Sequence, residues 1–61
     1  MKFRLEFEME NDAFQPEPRI EAGYILERVR EKLDACSFAI GDREKVRDTN
    51  GNTVGYFTVL S

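Results

Sequence analysis

The sequence predicts an α+β domain of the βαββ type, a two-layer sandwich in which a three-stranded sheet of order 1-3-2 carries one helix on one face. Strict alternation over residues 2–10 indicates a strand, and an apolar stripe over residues 19–36 indicates a helix. The turn sequence Asp-Thr-Asn-Gly at 48–51 predicts a hairpin over residues 44–60. A chain of 61 residues is expected to form a single domain, 1–61.

The first strand is predicted from an alternation of period two, which places apolar and charged side chains on opposite faces. The apolar face holds Phe3, Leu5, Phe7 and Met9, and the charged face holds Lys2, Arg4, Glu6, Glu8 and Glu10. A connector follows at residues 11–18, and Phe14 is expected to pack beneath it or against the start of the helix. Pro18 suits the first helical turn, where its missing N–H costs nothing.

The helix is predicted because apolar residues recur on one side at about 100° per residue. This expected core stripe consists of Ala22, Ile25, Leu26, Val29, Leu33 and Cys36, and the opposite face carries Ile20, Tyr24, Glu27, Arg28 and Glu31. Since Cys36 lies on the apolar stripe, we expect it to be a buried structural thiol.

The hairpin has two possible registers. A type I turn at 48–51 followed by a bulge at Gly51 would place Val46 opposite Val54. A two-residue Asn50-Gly51 turn of type I′ would place Val46 opposite Gly55. The last strand is apolar on both faces, which suits the centre of the sheet, and its direction against the first strand is open.

Composition excludes several functions. The chain has one cysteine and no histidine, so we expect no disulfide, no zinc site, no cofactor and no catalytic residues. The residues Asp48, Asn50 and Asn52 have the spacing of a calcium loop, but Val59 stands where that loop requires glutamate. A lone cysteine and a charged amino terminus favour a cytoplasmic protein, and no apolar run is long enough for a membrane span.

The expected interface combines misplaced apolar residues with an acidic row. A single helix covers only one face of a sheet, so either Val54, Tyr56 and Leu60, or Phe57 and Val59, must remain uncovered. Ile20 and Tyr24 also lie away from the core stripe, unless Ile20 packs beneath the connector. Exposed apolar patches rimmed by charge are typical of interfaces. The candidate interface residues are Ile20, Tyr24, Tyr56, Glu6, Glu8, Glu10 and Asp12.

These features predict a non-catalytic protein-binding function, with a partner that presents a basic surface to the acidic row. A domain this short buries little apolar surface, and neither a disulfide nor a zinc site is expected to stabilise it. We therefore also expect a homodimer, which would bury more surface. The acidic first third argues against nucleic-acid binding. The alternative is nonetheless a small nucleic-acid-binding module that uses Arg43, Lys45 and Arg47, with Tyr56 as a stacking surface.

The closing hairpin reads Arg-Asp-Thr-Asn-Gly-Asn-Thr-Val-Gly over residues 47–55. Together with the opening Met-Lys-Phe-Arg, it resembles a class of short uncharacterised proteins of phages and bacterial mobile elements that share an R-D-x-N-G-N-x-V-G hairpin. The resemblance covers most of the chain and brings no activity with it. It implies a small accessory protein that acts by binding a host or phage macromolecule.

Overall fold

The fold was obtained as a computed structural model that describes residues 1–61. The elements are β1 (Lys2–Phe7), a 3₁₀ helix (Asp12–Phe14), α1 (Pro18–Ala35), β2 (Arg43–Arg47) and β3 (Thr53–Leu60). The strands form one sheet in the order β1-β3-β2, which confirms the predicted architecture. Both strand pairs are antiparallel, so the open question about β3 and β1 is answered.

β1 ends three residues earlier than the alternation predicts. The backbone N–H of Glu8 still donates to the carbonyl of Val54 at 2.9 Å, but the paired residues of the two strands end with Phe7 opposite Gly55. Near this end the two strands approach closely at Gly55, which is paired with Phe7. A Cβ atom on Gly55 would lie 2.6 Å from the Phe7 Cα, so this position accepts only glycine without displacement of β1.

α1 spans Pro18–Ala35, one residue earlier at each end than the predicted helix, with Pro18 in its first turn, and packs against one face of the sheet. On the expected stripe Ile25 and Val29 are buried, and Ala22, Leu33 and Cys36 are half-buried. The placement of Leu26 in the core is wrong, because its side chain is 52% exposed.

The roll of α1 towards β2 explains the exposure of Leu26. Arg28 Nη1 donates to the carbonyl of Asp48 at 3.3 Å, and Lys32 Nζ donates to the carbonyl of Lys45. Both bonds tie the same flank of the helix to the β2 side of the sheet. The other flank, which carries Leu26, has no such bond to the sheet, and Leu26 stays exposed.

The core contains six buried apolar residues: Phe14, Ile25, Val29, Val46 and Phe57 form one cluster, and Val59 is the sixth. Phe14 has no exposed surface and belongs to the same cluster as Ile25 and Val29 of α1, so its expected burial is confirmed. At the other end, Phe38 adopts a left-handed backbone conformation, with φ at 56°, and its ring stacks on Phe3 at 5.9 Å. The Phe3 ring in turn contacts Phe57 at 5.4 Å, so the aromatic side chains extend the core along β1.

The hairpin combines features of both predicted registers. The Gly51 N–H donates to the Asp48 carbonyl at 3.0 Å, and Gly51 has φ of 85°, which are the marks of a type I turn with a following glycine. Val46 nevertheless pairs with Gly55, whereas Arg47 pairs with Thr53, so β3 contains one extra residue at this point. This bulge returns the strands to the register of the shorter turn.

Candidate functional site

The side of the sheet that faces away from α1 is uncovered. Phe57, Val59 and Val46 point to the helix side and are buried, so the alternate residues of each strand point outward. We call this surface the open face; it consists of Lys2, Arg4 and Glu6 on β1, Arg43, Lys45 and Arg47 on β2, and Tyr56, Thr58 and Leu60 on β3. Of the two alternatives for β3, the one that leaves Tyr56 and Leu60 outside is therefore correct.

Val54, which was expected on the uncovered face together with Tyr56 and Leu60, lies there only in part. It lies next to the bulge, lines the open face, and also packs against the buried cluster. The sequence alternation alone would have placed it fully on the open face. The extra residue in β3 interrupts this alternation, because a bulge shifts the side chains that flank it.

The centre of the open face is an arginine stacked on a tyrosine. Arg4 and Arg43 flank Thr58 across the sheet, and Glu6 and Lys45 flank Tyr56 in the adjacent row. The Arg43 guanidinium carbon lies 3.9 Å from the centroid of the Tyr56 ring. This cation–π contact holds the guanidinium against the ring, where its hydrogen-bond donors remain in solvent.

The open face is basic although the protein carries a net charge of −3. Its basic side chains are Lys2, Arg4, Arg43, Lys45 and Arg47, and its acidic side chains are Glu6 and, just past the end of β1, Glu8. The alternation of β2 turns Glu44 to the helix side, the same side as the buried Val46. The acidic residues that interrupt the basic hairpin in sequence are thus separated from it in space.

The two aspartates that flank β2 are engaged in turns. The Ser37 hydroxyl donates to Asp42 Oδ2 at 2.7 Å and the Ala39 N–H donates to the same atom at 2.9 Å. These two bonds hold the pKa of Asp42 below its usual value, and the bond from Ser37 has the larger effect. The carboxylate is consequently committed to the loop that leads into β2.

Asp48 is fully buried in the hairpin turn. Burial alone would raise the pKa of Asp48, but the hydrogen bonds donated by the Asn52 N–H, the Asn11 amide and the Asn50 N–H outweigh it, so the pKa lies below its usual value. Both carboxylate oxygens accept these bonds, at distances of 2.7 to 3.0 Å. The spacing that resembles a calcium loop is therefore explained by the turn itself.

Glu21 is a buried carboxylate for which the sequence predicts no contact. It lies in the first turn of α1, where Thr49 donates to it from its N–H at 2.8 Å and from its hydroxyl at 3.1 Å. Its position one turn before Ile25 was the only sequence signal for its burial. No group of three or more Asp, Glu or Cys side chains is placed to hold a metal ion.

The open face contains a shallow concavity of about 440 Å³. It is lined by Arg4, Glu6, Phe7, Glu8, Arg43, Val54, Gly55, Tyr56, Thr58 and Leu60. Its charged lining residues are Arg4, Arg43, Glu6 and Glu8, and Tyr56 is its aromatic residue on β3. The concavity is therefore bounded by equal numbers of basic and acidic side chains, and the remaining bases of the open face, Lys2, Lys45 and Arg47, lie outside it.

The predicted interface residues lie on separate surfaces. Tyr56, Glu6 and Glu8 line the concavity on the open face. Ile20 and Tyr24 are 64% and 43% exposed on the helix, on the opposite side of the molecule, so Ile20 does not pack beneath the connector. Glu10 and Asp12 are exposed in the segment between β1 and α1.

Cys36 follows the last residue of α1 and is half-buried against the core. Its N–H donates to the Lys32 carbonyl at 3.0 Å. No helix combines the length and the apolar composition needed to cross a membrane. Comparisons of the chain with protein-family models, with curated proteins and with solved structures found no match.

Proposed function

We propose that the protein is a non-catalytic binding module whose open face binds single-stranded nucleic acid. The observation that carries this proposal is the Arg43–Tyr56 stack in the middle of a basic sheet surface. Single strands are bound by basic surfaces that follow the phosphates and by aromatic rings on which bases stack. Both features lie on the open face, and the acidic neighbours of the hairpin in sequence point elsewhere.

In this arrangement Tyr56 offers the stacking surface and Arg43 stacks beside a base or pairs with a phosphate. Arg4, Lys45 and Arg47 lie along the same face and would contact the backbone. None of these three side chains forms an ion pair within the chain. Their charges are available to an anionic polymer, which makes binding dependent on salt.

Fluorescence anisotropy with labelled oligo(dT) and oligo(U) tests the proposal. We expect saturable binding whose affinity falls with salt, and Arg43→Ala should reduce the slope of log K against log salt by about 0.7, the contribution of one phosphate contact in a single strand. Tyr56→Leu should weaken binding about tenfold, whereas Tyr56→Phe should retain it, because the ring supplies the stacking.

The matched control is Arg30→Glu against Arg43→Glu. Both make the same change in net charge, but Arg30 lies on the helix, paired with Asp34 at 3.5 Å. Only Arg43→Glu should abolish binding. Equal losses would show a general charge effect, and the absence of binding up to about 100 µM at low salt would overturn the proposal, because non-specific complexes fall within that range.

A second candidate function is the binding of a protein partner at the helix. It is favoured by the exposure of Ile20 and Tyr24, which share a helix face with Glu27 and Glu31. An apolar pair beside acidic residues suits a partner with a basic rim. In a pull-down from a bacterial lysate, Tyr24→Ala should lose the specific partner and Tyr56→Ala should keep it. The reverse result would assign the partner to the open face.

A further inference from the structure

β1 is an edge strand whose outer side has no partner. The Glu8 N–H donates to Val54, and in an antiparallel pair the residues alternate in the side to which they direct their peptide groups. The even-numbered residues of β1 thus face β3, and Phe3, Leu5 and Phe7 direct their N–H and C=O groups to the free edge. An edge of this kind can pair with another strand.

The charges along β1 are arranged so that the strand complements itself. Residues 2–8 read Lys-Phe-Arg-Leu-Glu-Phe-Glu, with two bases before Leu5 and two acids after it. If a second copy of β1 lies antiparallel with the two Leu5 residues opposite each other, Lys2 faces Glu8 and Arg4 faces Glu6. Each pair occurs twice, and none of the four side chains is ion-paired within the chain.

Other registers lose this match. A shift of the pairing by one residue would join the open face of one copy to the core face of the other. A shift that centres the pair on Arg4 places the two Arg4 side chains opposite each other, and centring on Glu6 does the same with the two Glu6 side chains. Like charges directly opposite each other are destabilising in an antiparallel pair. Only the register centred on Leu5 places every charged side chain of β1 opposite one of the other sign.

The helix side of the same register joins apolar residues. Phe3 of one copy lies opposite Phe7 of the other, and Leu5 lies opposite Leu5. These residues need cover, because Phe3 is 40% exposed and the Phe38 ring that stacks on it is exposed as well. Only eight of the 61 residues are buried in the monomer, so a second copy would add core where the single helix does not reach.

From these observations we infer that two copies pair through their β1 edges, in the antiparallel register centred on Leu5, and form a symmetric dimer with one continuous six-stranded sheet. The interface is isologous, since the same residues contribute from both copies. The two open faces then lie side by side on one surface of the sheet. The inference rests on the edge of β1 and does not require that the open face bind nucleic acid, although Arg4 belongs to both surfaces.

Charge-reversal variants test the register. Sedimentation equilibrium of the unmodified protein should give twice the 7.1 kDa chain mass. R4E places two acidic side chains opposite each other and E6R places two basic side chains opposite each other, so each should raise the dimer dissociation constant about tenfold or more. An equimolar mixture of R4E and E6R restores opposite charges at this position and should form a heterodimer. The double variant R4E/E6R should dimerise by itself.

Two controls separate this interface from other effects. Arg30→Glu reverses a charge on the helix and should leave the dimer intact. Amide hydrogen exchange measured by NMR should show protection of the Phe3, Leu5 and Phe7 N–H groups in the unmodified protein and its loss in R4E. This protection reports the β1 edge directly.

Three results would overturn the inference. The first is a monomer mass at protein concentrations up to about 1 mM, at which even a weak dimer is populated. The second is a dimer that R4E and E6R leave unchanged. The third is a dimer that Tyr24→Lys abolishes while R4E does not, because the helix face would then be the contact between copies.

Discussion

Asn11 Nδ2 donates to Asp48 Oδ2 at 2.7 Å and so joins the connector after β1 to the turn of the hairpin, 37 residues later. The same Asn11 side chain accepts from the Ala13 N–H through Oδ1 at 3.1 Å and caps the 3₁₀ helix. That helix positions Phe14, one of the two fully buried phenylalanines of the core. One asparagine thus links the local structure of the connector to the turn and to the packing of the domain.

The first prediction concerns the loss of stability at low pH. Because the folded pKa of Asp48 is lowered, its carboxylate contributes stability that is complete above the unfolded pKa of about 3.9 and is lost as the pH falls through the lower folded value. We expect the urea midpoint of the protein to fall steeply below about pH 4. Asp48→Asn should lower the midpoint at neutral pH and flatten this acid dependence.

Asp34→Asn is the control for the acid measurement, because Asp34 is exposed on the helix surface. It should leave both the midpoint and its pH dependence close to those of the unmodified protein. An acid profile of Asp48→Asn that parallels the unmodified one would contradict the role assigned to Asp48.

The second prediction concerns the contact between the helix and the hairpin turn. Glu21→Ala should lower the free energy of unfolding by roughly 1–3 kcal/mol, because it leaves the N–H and hydroxyl of Thr49 without their acceptor. Glu21→Gln should cost less, since its amide oxygen can still accept one bond. Glu27→Ala, at an exposed position of the same helix, should change stability by less than about 0.5 kcal/mol. Chemical unfolding curves measure all three, and equal losses for Glu21→Ala and Glu27→Ala would contradict the contact.

The third prediction compares two glycines. A Cβ atom at Gly55 would overlap the backbone of β1, whereas at Gly23 it would meet nothing within 4 Å. Gly55→Ala should therefore cost at least about 2 kcal/mol of stability through overpacking. Gly23→Ala should stabilise α1 by up to about 1 kcal/mol, because alanine is the better helix former. Thermal unfolding followed by circular dichroism measures both, and a neutral Gly55→Ala would contradict the close approach of β1 and β3.

The fourth prediction concerns the core under the connector. Phe14→Ala should destabilise the protein by about 3–5 kcal/mol, because it removes a fully buried ring and leaves a cavity. Phe14→Leu should retain much of the stability, since leucine fills part of the same space. Met9→Ala provides the comparison at an exposed position and should have little effect. Similar urea midpoints for Phe14→Ala and Met9→Ala would show that Phe14 is not a core residue.

The candidate site could be predicted only in part from the sequence. Tyr56 and the basic residues of the hairpin were identified from strand alternation, but the acids between them argued against a common basic surface. Glu44 is removed from that surface by the pleat, and Asp42 and Asp48 by hydrogen bonds in turns. The bonds to the N–H groups of Asn50 and Ala39 are local turn contacts, whereas the bond from Asn11 to Asp48 joins segments 37 residues apart, and no residue spacing indicates it.

Local sequence patterns were sufficient to predict the type and order of the elements, the central position of β3 and the burial of Phe14. Their causes are local: the two-residue period of a strand, the helical period of α1 and the turn chemistry of 48–51. Long-range packing instead sets the roll of α1 that exposes Leu26, the bulge beside Val54 and the contact between Asn11 and Asp48. Each of these depends on segments distant in the chain that compete for the same space and the same hydrogen-bond partners, and local periodicity carries no information about that competition.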